Sequence, residues 1–291
     1  MGRCWVPSRG STVRRSAGFR GSRAGMLGAG LMAVLLLSSL LAPWIAPHAP
    51  LDQSFGILQQ PSLSHPFGTD ELGRDVFSRV LHGLRASLLV AVATAVLAGL
   101  VGVFLGLIAG YLGGWVDAVV MRLMDMVLAF PAMLLAVVMV AVMGGGLVPL
   151  IIALTVVGVP PYARLTRAAV ISIRERGYVT AQRAAGASTP DIMARTVLPN
   201  SLGGAAVQFV VAASTAVLTE SGLSFLGLGL PPPNPALGAM LAAGNDNLFI
   251  APWYALAIGL VITVVVVALD LLGSGLQRQF GAAARRSAVV A

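Results

Sequence analysis

No lysine occurs among the 291 residues; all 19 basic side chains are arginine. A Walker A phosphate loop is thereby excluded, because its lysine must reach the β- and γ-phosphates. Schiff-base chemistry on this chain is excluded for the same reason. Cysteine is nearly as scarce: the single Cys4 rules out intramolecular disulfides and any cysteine-rich metal site. Histidine is limited to His48, His65 and His82, all on or near one loop and without ligand-type spacing, so no shared metal site is expected from them. Charge is thin as well. Only 10% of residues are charged, where a soluble domain carries about 25%. What fills the space is apolar: 57% of residues are hydrophobic and the mean hydropathy is +0.88. A soluble chain this apolar could not cover its own surface, so the composition points to an all-α polytopic membrane protein and away from disorder, collagen or coiled coil.

A spanning helix needs about 20 apolar residues. Runs without Asp, Glu or Arg cover 24–51, 86–116, 126–163, 196–219, 221–245 and 247–269. As one helix the third run would approach two bilayer thicknesses, and Gly144-Gly145-Gly146 with Pro149 breaks it into a hairpin. Pro231-Pro232-Pro233-Asn234-Pro235 cannot be helical, so the fifth run is a continuation of the fourth across Glu220, followed by loop. The expectation is six transmembrane helices over about 25–47, 86–110, 123–143, 147–168, 203–229 and 252–276, within a transmembrane domain at 24–280 flanked by tails 1–23 and 281–291. The first helix is too long for a signal-peptide core and Ala46-Pro47-His48 is a poor cleavage site, so it is expected to be retained.

Arginine placement orients these helices. With the N-terminus inside, inner segments hold 16 arginines and outer segments only Arg74, Arg79 and Arg85. Both tails and the 169–202 loop are then cytoplasmic, while loops 48–85 and 230–250 face outward. The net charge of +8 reads as topology and contact with anionic membrane lipids, not nucleic acid, since no soluble basic domain presents it.

The 169–202 segment is patterned. Residues 174–185 favour helix, and Gly186 follows as a residue able to take positive φ. Ser188-Thr189-Pro190-Asp191 then supplies an N-cap, a proline for the first turn and an acid near the helix start. A second short helix is expected to end at Leu198-Pro199-Asn200. The result is helix–glycine–helix with a small-residue surface at Ala181, Ala184, Ala185 and Ala187, read either as a compact connector or as a docking loop for another protein.

Here the chain resembles a known family. Tyr178-Val-Thr-Ala-Gln-Arg-Ala-Ala-Gly186-Ala-Ser with Val197-Leu-Pro-Asn200 is similar to the EAA loop of ABC importer permeases, and specifically of the C-type membrane subunit of oligopeptide and dipeptide importers. His65-Pro-Phe-Gly-Thr-Asp-Glu-Leu-Gly-Arg-Asp-Val-Phe-Ser-Arg79, Gly110-Tyr-Leu-Gly-Gly-Trp-Val-Asp117 with Leu128-Ala-Phe-Pro131, and Leu223-Ser-Phe-Leu-Gly-Leu-Gly229 with Gly238-Ala-Met-Leu241 agree with it. The resemblance implies a type I ABC importer permease fold and one half of a translocation pathway. It also implies a second homologous permease, separate or fused ATPase subunits holding ATP and Mg²⁺, and an extracytoplasmic substrate-binding protein; no cofactor falls on this chain. The coupling residues it implies are Thr180, Ala181, Gln182, Ala185, Gly186, Ala187, Ser188, Leu198 and Pro199. Thr180 and Gln182 depart from the family, whose loop has Glu and Ala at these places. Oligopeptides are the leading substrate by this resemblance, with dipeptides or a nickel chelate as alternatives.

Two further features have open readings. Gly102, Gly106 and Gly110 lie four apart on one helix face, suited either to the seam with a partner permease or to packing within the subunit. Glu220 is an acid inside a span, and would either line the path or hydrogen-bond a neighbouring helix. Asp125 is close enough to Arg122 to pair with it, and Asp270 is expected to be interfacial or paired. A proton-coupled carrier would want more ionisable groups at mid-membrane, an intramembrane hydrolase a histidine or paired acids inside a helix, and a passive channel no helix–glycine–helix loop.

Overall fold

The computed structural model describes residues 23–290, with side chains to 279; all but the last residue of the expected tail 1–23 lies outside them. Among the described residues every regular element is helical, apart from one isolated bridge between Thr69 and Asp75. Helix α1 (Arg23–Leu40) is followed by the single turn α2 (Ala42–Ile45) and a long loop. Next come α3 (Val76–Leu112), α4 (Gly114–Leu128), α5 (Ala132–Met143) and α6 (Leu147–Arg174). The short helices α7 (Gly177–Ala184) and α8 (Thr189–Ile192) precede a π-helical turn at Met193–Val197 and then α9 (Leu198–Phe225). Helices α10 (Leu237–Asp246) and α11 (Pro252–Val290) complete the chain. Five helical stretches are long and apolar enough to cross a membrane, and the bent pair α4–α5 makes a sixth candidate.

Four expectations need correction. The second span does not begin near 86. It starts at Val76, because Asp75 caps it by accepting from the Ser78 N–H at 2.8 Å and nothing between 76 and 112 breaks it. Residues 76–85, expected to belong to the outer loop, are therefore the first turns of α3. The third span is not one helix over 123–143: it bends by 87° between Leu128 and Ala132. Pro131 has no N–H to continue the ladder and biases Phe130 away from helical geometry. Leu198-Pro199-Asn200 does not stop the helix before it, since Pro199 sits in the first turn of α9, where its missing donor costs little. Finally, loop 230–250 holds α10, because the prolines end at Pro235 and Leu237 onward are good helix formers.

The main core joins the spans. Val76, Leu84 and Leu88 of α3, Val217 of α9, Leu237 and Met240 of α10, and Ile258 and Val265 of α11 form one buried cluster. Outward from it stand exposed Leu100 and Phe104 on α3 and Leu256 and Leu260 on α11, an apolar surface suited to lipid. Helix α1 crosses α11 at Gly28, where an added Cβ would come 2.4 Å from the Leu272 nitrogen.

The bundle has two distinct ends. One carries the 46–75 loop, α10 and the start of α3; the other carries α7 and α8 beside the end of α3. The 46–75 loop is hydrogen-bonded through its own motif. Asp70 accepts from the Arg74 side chain at 2.6 Å and from the backbone N–H groups of Leu72 and Arg74. Arg79 approaches the same carboxylate at 3.3 Å and donates to the Pro50 carbonyl. These groups are buried, so the ion pairs set the loop's shape more than its stability.

Candidate functional site

The α7–α8 segment is built as a compact, capped knob. Helix α7 ends in a Schellman motif: the Gly186 N–H donates to the Arg183 carbonyl at 3.0 Å and the Ala187 N–H to the Gln182 carbonyl at 3.1 Å. That geometry puts Gly186 at φ +82°, and a Cβ added there would meet nothing within 4 Å. The demand for glycine thus comes from backbone conformation, while the space around it stays open. Ser188 then caps α8 by accepting from the Asp191 N–H at 3.4 Å.

Beneath the turn the knob is nailed to the spans. Val179, Ile192 and Val197 are buried against Leu107 and Tyr111 of α3 and Val170 and Ile173 of α6. Arg183 donates to the Tyr111 hydroxyl at 3.3 Å and its guanidinium lies 5.0 Å from that ring's centre. Arg174 donates to the Tyr111 carbonyl at 3.1 Å. Thr196 donates to the Gln182 side-chain carbonyl at 3.0 Å, so the residue that departs from the family's alanine ties α7 to the π turn. Outward, Thr180, Ala181, Ala185, Gly186, Ser188 and Pro199 are exposed, and Ala187 and Leu198 are half-buried.

The glycine face lies inside the subunit. A Cβ on Gly102 would stand 2.5 Å from that of Tyr162, one on Gly106 2.4 Å from the Ala163 carbonyl, and one on Gly110 2.9 Å from the Arg167 carbonyl. All three neighbours belong to α6, and Tyr162 closes the contact by donating to the Ala95 carbonyl at 3.1 Å. Farther along, Arg167 of α6 clasps Asp117 of α4 through two bonds of 2.5 and 2.6 Å. Asp125 pairs with Arg164 of α6 at 2.5 Å, which corrects its expected pairing with Arg122. The residues are distant in sequence, so no local spacing pointed to these cross-helix pairs; the four-residue glycine period was the one legible sign of the α3–α6 contact.

Glu220 is buried between α9 and α3. It accepts from Ser87 at 2.9 Å and from Ser224 at 2.8 Å. Asp270 of α11 accepts from Ser214 of α9 at 3.0 Å, in keeping with its expected pairing. Near it, at the α7–α8 end, a cavity of about 870 Å³ between α6, α9 and α11 is lined by Asn200, Gln208, Asp270 and Gln277 among apolar neighbours.

The described residues form an all-helical bundle with five or six candidate membrane spans and an exposed helix–glycine–helix knob, a geometry that suits a transport subunit. Comparison with known proteins agrees. The family described as "Binding-protein-dependent transport system inner membrane component" matches residues 102–285, and the "N-terminal TM domain of oligopeptide transport permease C" matches residues 13–62. The di/tripeptide transport system permease protein DppC of Pseudomonas aeruginosa is 42% identical over 265 residues, covering 89% of this chain and 86% of that protein. The glutathione transport system permease protein GsiD of Escherichia coli is 38% identical over 262 residues, again covering 89% of this chain and 86% of the other. The fold is shared with a chain of the MetNI methionine ABC transporter in inward facing conformations, with a TM-score of 0.57 at 20% identity, covering 69% of this chain and 96% of that one. The chain belongs to the family of inner membrane components of binding-protein-dependent transport systems. It is an ABC importer permease, a transport protein and not itself an ATPase, and membership implies ATPase partners and a binding protein.

Proposed function

We propose that this chain is the permease half of an importer of short peptides in a bacterial plasma membrane. It would pair with a second homologous permease and couple through α7, Gly186 and α8 to cytoplasmic ATPase chains that hold ATP and Mg²⁺. One observation carries the coupling role: the exposed turn at Gly186 is small enough for close approach, yet its base is fixed to α3 and α6. A push on the turn is passed to the spans instead of being absorbed by a flexible loop, as a two-state rocking of packed helices requires. The arginine split supports placing this end and both termini in the cytoplasm, with the 46–75 loop and α10 facing the binding protein. Gln208, Asp270 and Gln277 would give the inner part of the path polar partners for a peptide backbone.

Peptide transport rests on the similarity to permeases named for di/tripeptides and glutathione. The test is ATP hydrolysis by the reconstituted complex with its binding protein. Di- and tripeptides should stimulate hydrolysis; stimulation by a nickel chelate and by no peptide would replace this reading with the metal-importer one.

A further inference from the structure

We propose that His48, His65 and Asp75 form a binding site for one divalent transition-metal ion of the zinc type, pinning the 46–75 loop to the start of α3. The three residues are far apart in sequence: His48 follows α2, His65 lies in the long loop, and Asp75 caps α3. The fold brings one ligand atom from each within 4.8 Å of the others. The His65 Nδ1 is 3.1 Å from Asp75 Oδ1, and the His48 Nδ1 is 4.0 Å from Asp75 Oδ2. Two ligands on a tetrahedral zinc, each about 2.0 Å from the ion, stand roughly 3.3 Å apart. His65 and Asp75 already have that spacing, and a small swing of His48, the half-exposed member, supplies the rest.

A hydrogen bond between His65 and Asp75 accounts for two of the residues but not for the third. The His48 Nδ1 is buried and has no hydrogen-bond partner, and 4.0 Å is too long for a bond to Asp75. A buried ring nitrogen without a partner is costly, and a metal ion satisfies it. The rest of the site is built to hold the rings. Phe55 packs edge-on against both, with centroids 4.6 Å away in each case, and the two imidazoles lie 4.9 Å apart. The His48 backbone N–H donates to the Ser78 hydroxyl at 3.2 Å, and Asp75 Oδ2 is held by the Ser78 backbone N–H. Two imidazole nitrogens and one carboxylate oxygen form a donor set favoured by zinc over calcium or magnesium, with one position left for water. On binding, each ring would carry its proton on Nε2, and the His65–Asp75 hydrogen bond would give way to coordination. His82 stands outside the set, with its Nδ1 2.9 Å from the Ser78 carbonyl.

The experiment uses the full-length chain purified with its partner subunits, stripped by a chelator and dialysed against dilute Zn²⁺. Elemental analysis should find one tightly held zinc per chain, and Co²⁺ should give the visible absorption of a tetrahedral nitrogen–oxygen site. His48→Ala, placed in a loop and half-exposed, should keep the fold while weakening zinc binding at least about tenfold and abolishing the Co²⁺ bands. His82→Ala should change neither. Zinc retained equally by wild type and His48→Ala, or no zinc above the level of a His48→Ala/His65→Ala double variant, overturns the proposal.

Discussion

Gly186 owes its identity to backbone conformation. At φ +82° a residue with a Cβ costs of order 1–2 kcal/mol, and a β-branched one more. Gly186→Val should therefore reorient the turn and lower both transport and ligand-stimulated ATP hydrolysis, with substrate affinity of the binding protein unchanged. Thr180→Ala should do much less, because Thr180 is exposed and only a neutral contact is lost. Reconstituted complexes measure both; normal coupling in Gly186→Val, or greater damage from Thr180→Ala, would move the mechanical centre elsewhere. Glu220 makes a different kind of demand. Its carboxylate accepts hydroxyl donors from α3 and from its own helix, and glutamine keeps an acceptor there while serine oxygens accept its amide. Glu220→Gln should assemble and transport nearly normally. Glu220→Leu should orphan buried hydroxyls at about 1–3 kcal/mol each and reduce yield and thermal stability. Lost transport in a fully assembled Glu220→Gln complex would instead place the residue on the path.

At the scale of elements, the α3–α6 crossing packs two spans closely beneath the knob, with glycines at the contact. Its glycines let two backbones approach so closely that a methyl at Gly106 meets a carbonyl at 2.4 Å. Gly106→Ala should separate the helices and destabilise the fold by about 1–3 kcal/mol, the usual cost of overpacking. A detergent-solubilised thermal unfolding curve reads this directly, with Gly30→Ala, where an added Cβ meets nothing within 4 Å, as the matched control. The same crossing shows the limits of local patterns. The glycine period is visible in the sequence, but it names one face only. That the face meets Tyr162, Ala163 and Arg167 of the same chain, and not a partner, depends on where α6 packs. The 87° bend between α4 and α5 and the uninterrupted passage through Pro199 likewise turn on a proline's place within a helical turn. A one-dimensional reading sees the proline but not which hydrogen bond it removes.

For the whole molecule, the arginine distribution predicts the orientation. In a Cys4→Ala background, a cysteine at exposed Leu63 should be labelled by an impermeant reagent in intact cells, while one at Ser188 should be protected until the membrane is opened. The reverse result would invert the topology. Composition and run lengths alone were enough for the class, the approximate number of spans and the helix–glycine–helix loop, because each depends on hydrophobic length or on a local backbone preference. A membrane span needs only its own apolar residues, and a Schellman turn needs only a glycine after a helix. Tertiary structure alone decided what joins distant positions: Gln182 to Thr196, Arg167 to Asp117, Glu220 to Ser87, and His48 and His65 around Asp75. Such contacts form where helices tens of residues apart happen to cross, and the free energy that selects the crossing comes from packing across the whole bundle, which no single window of sequence contains.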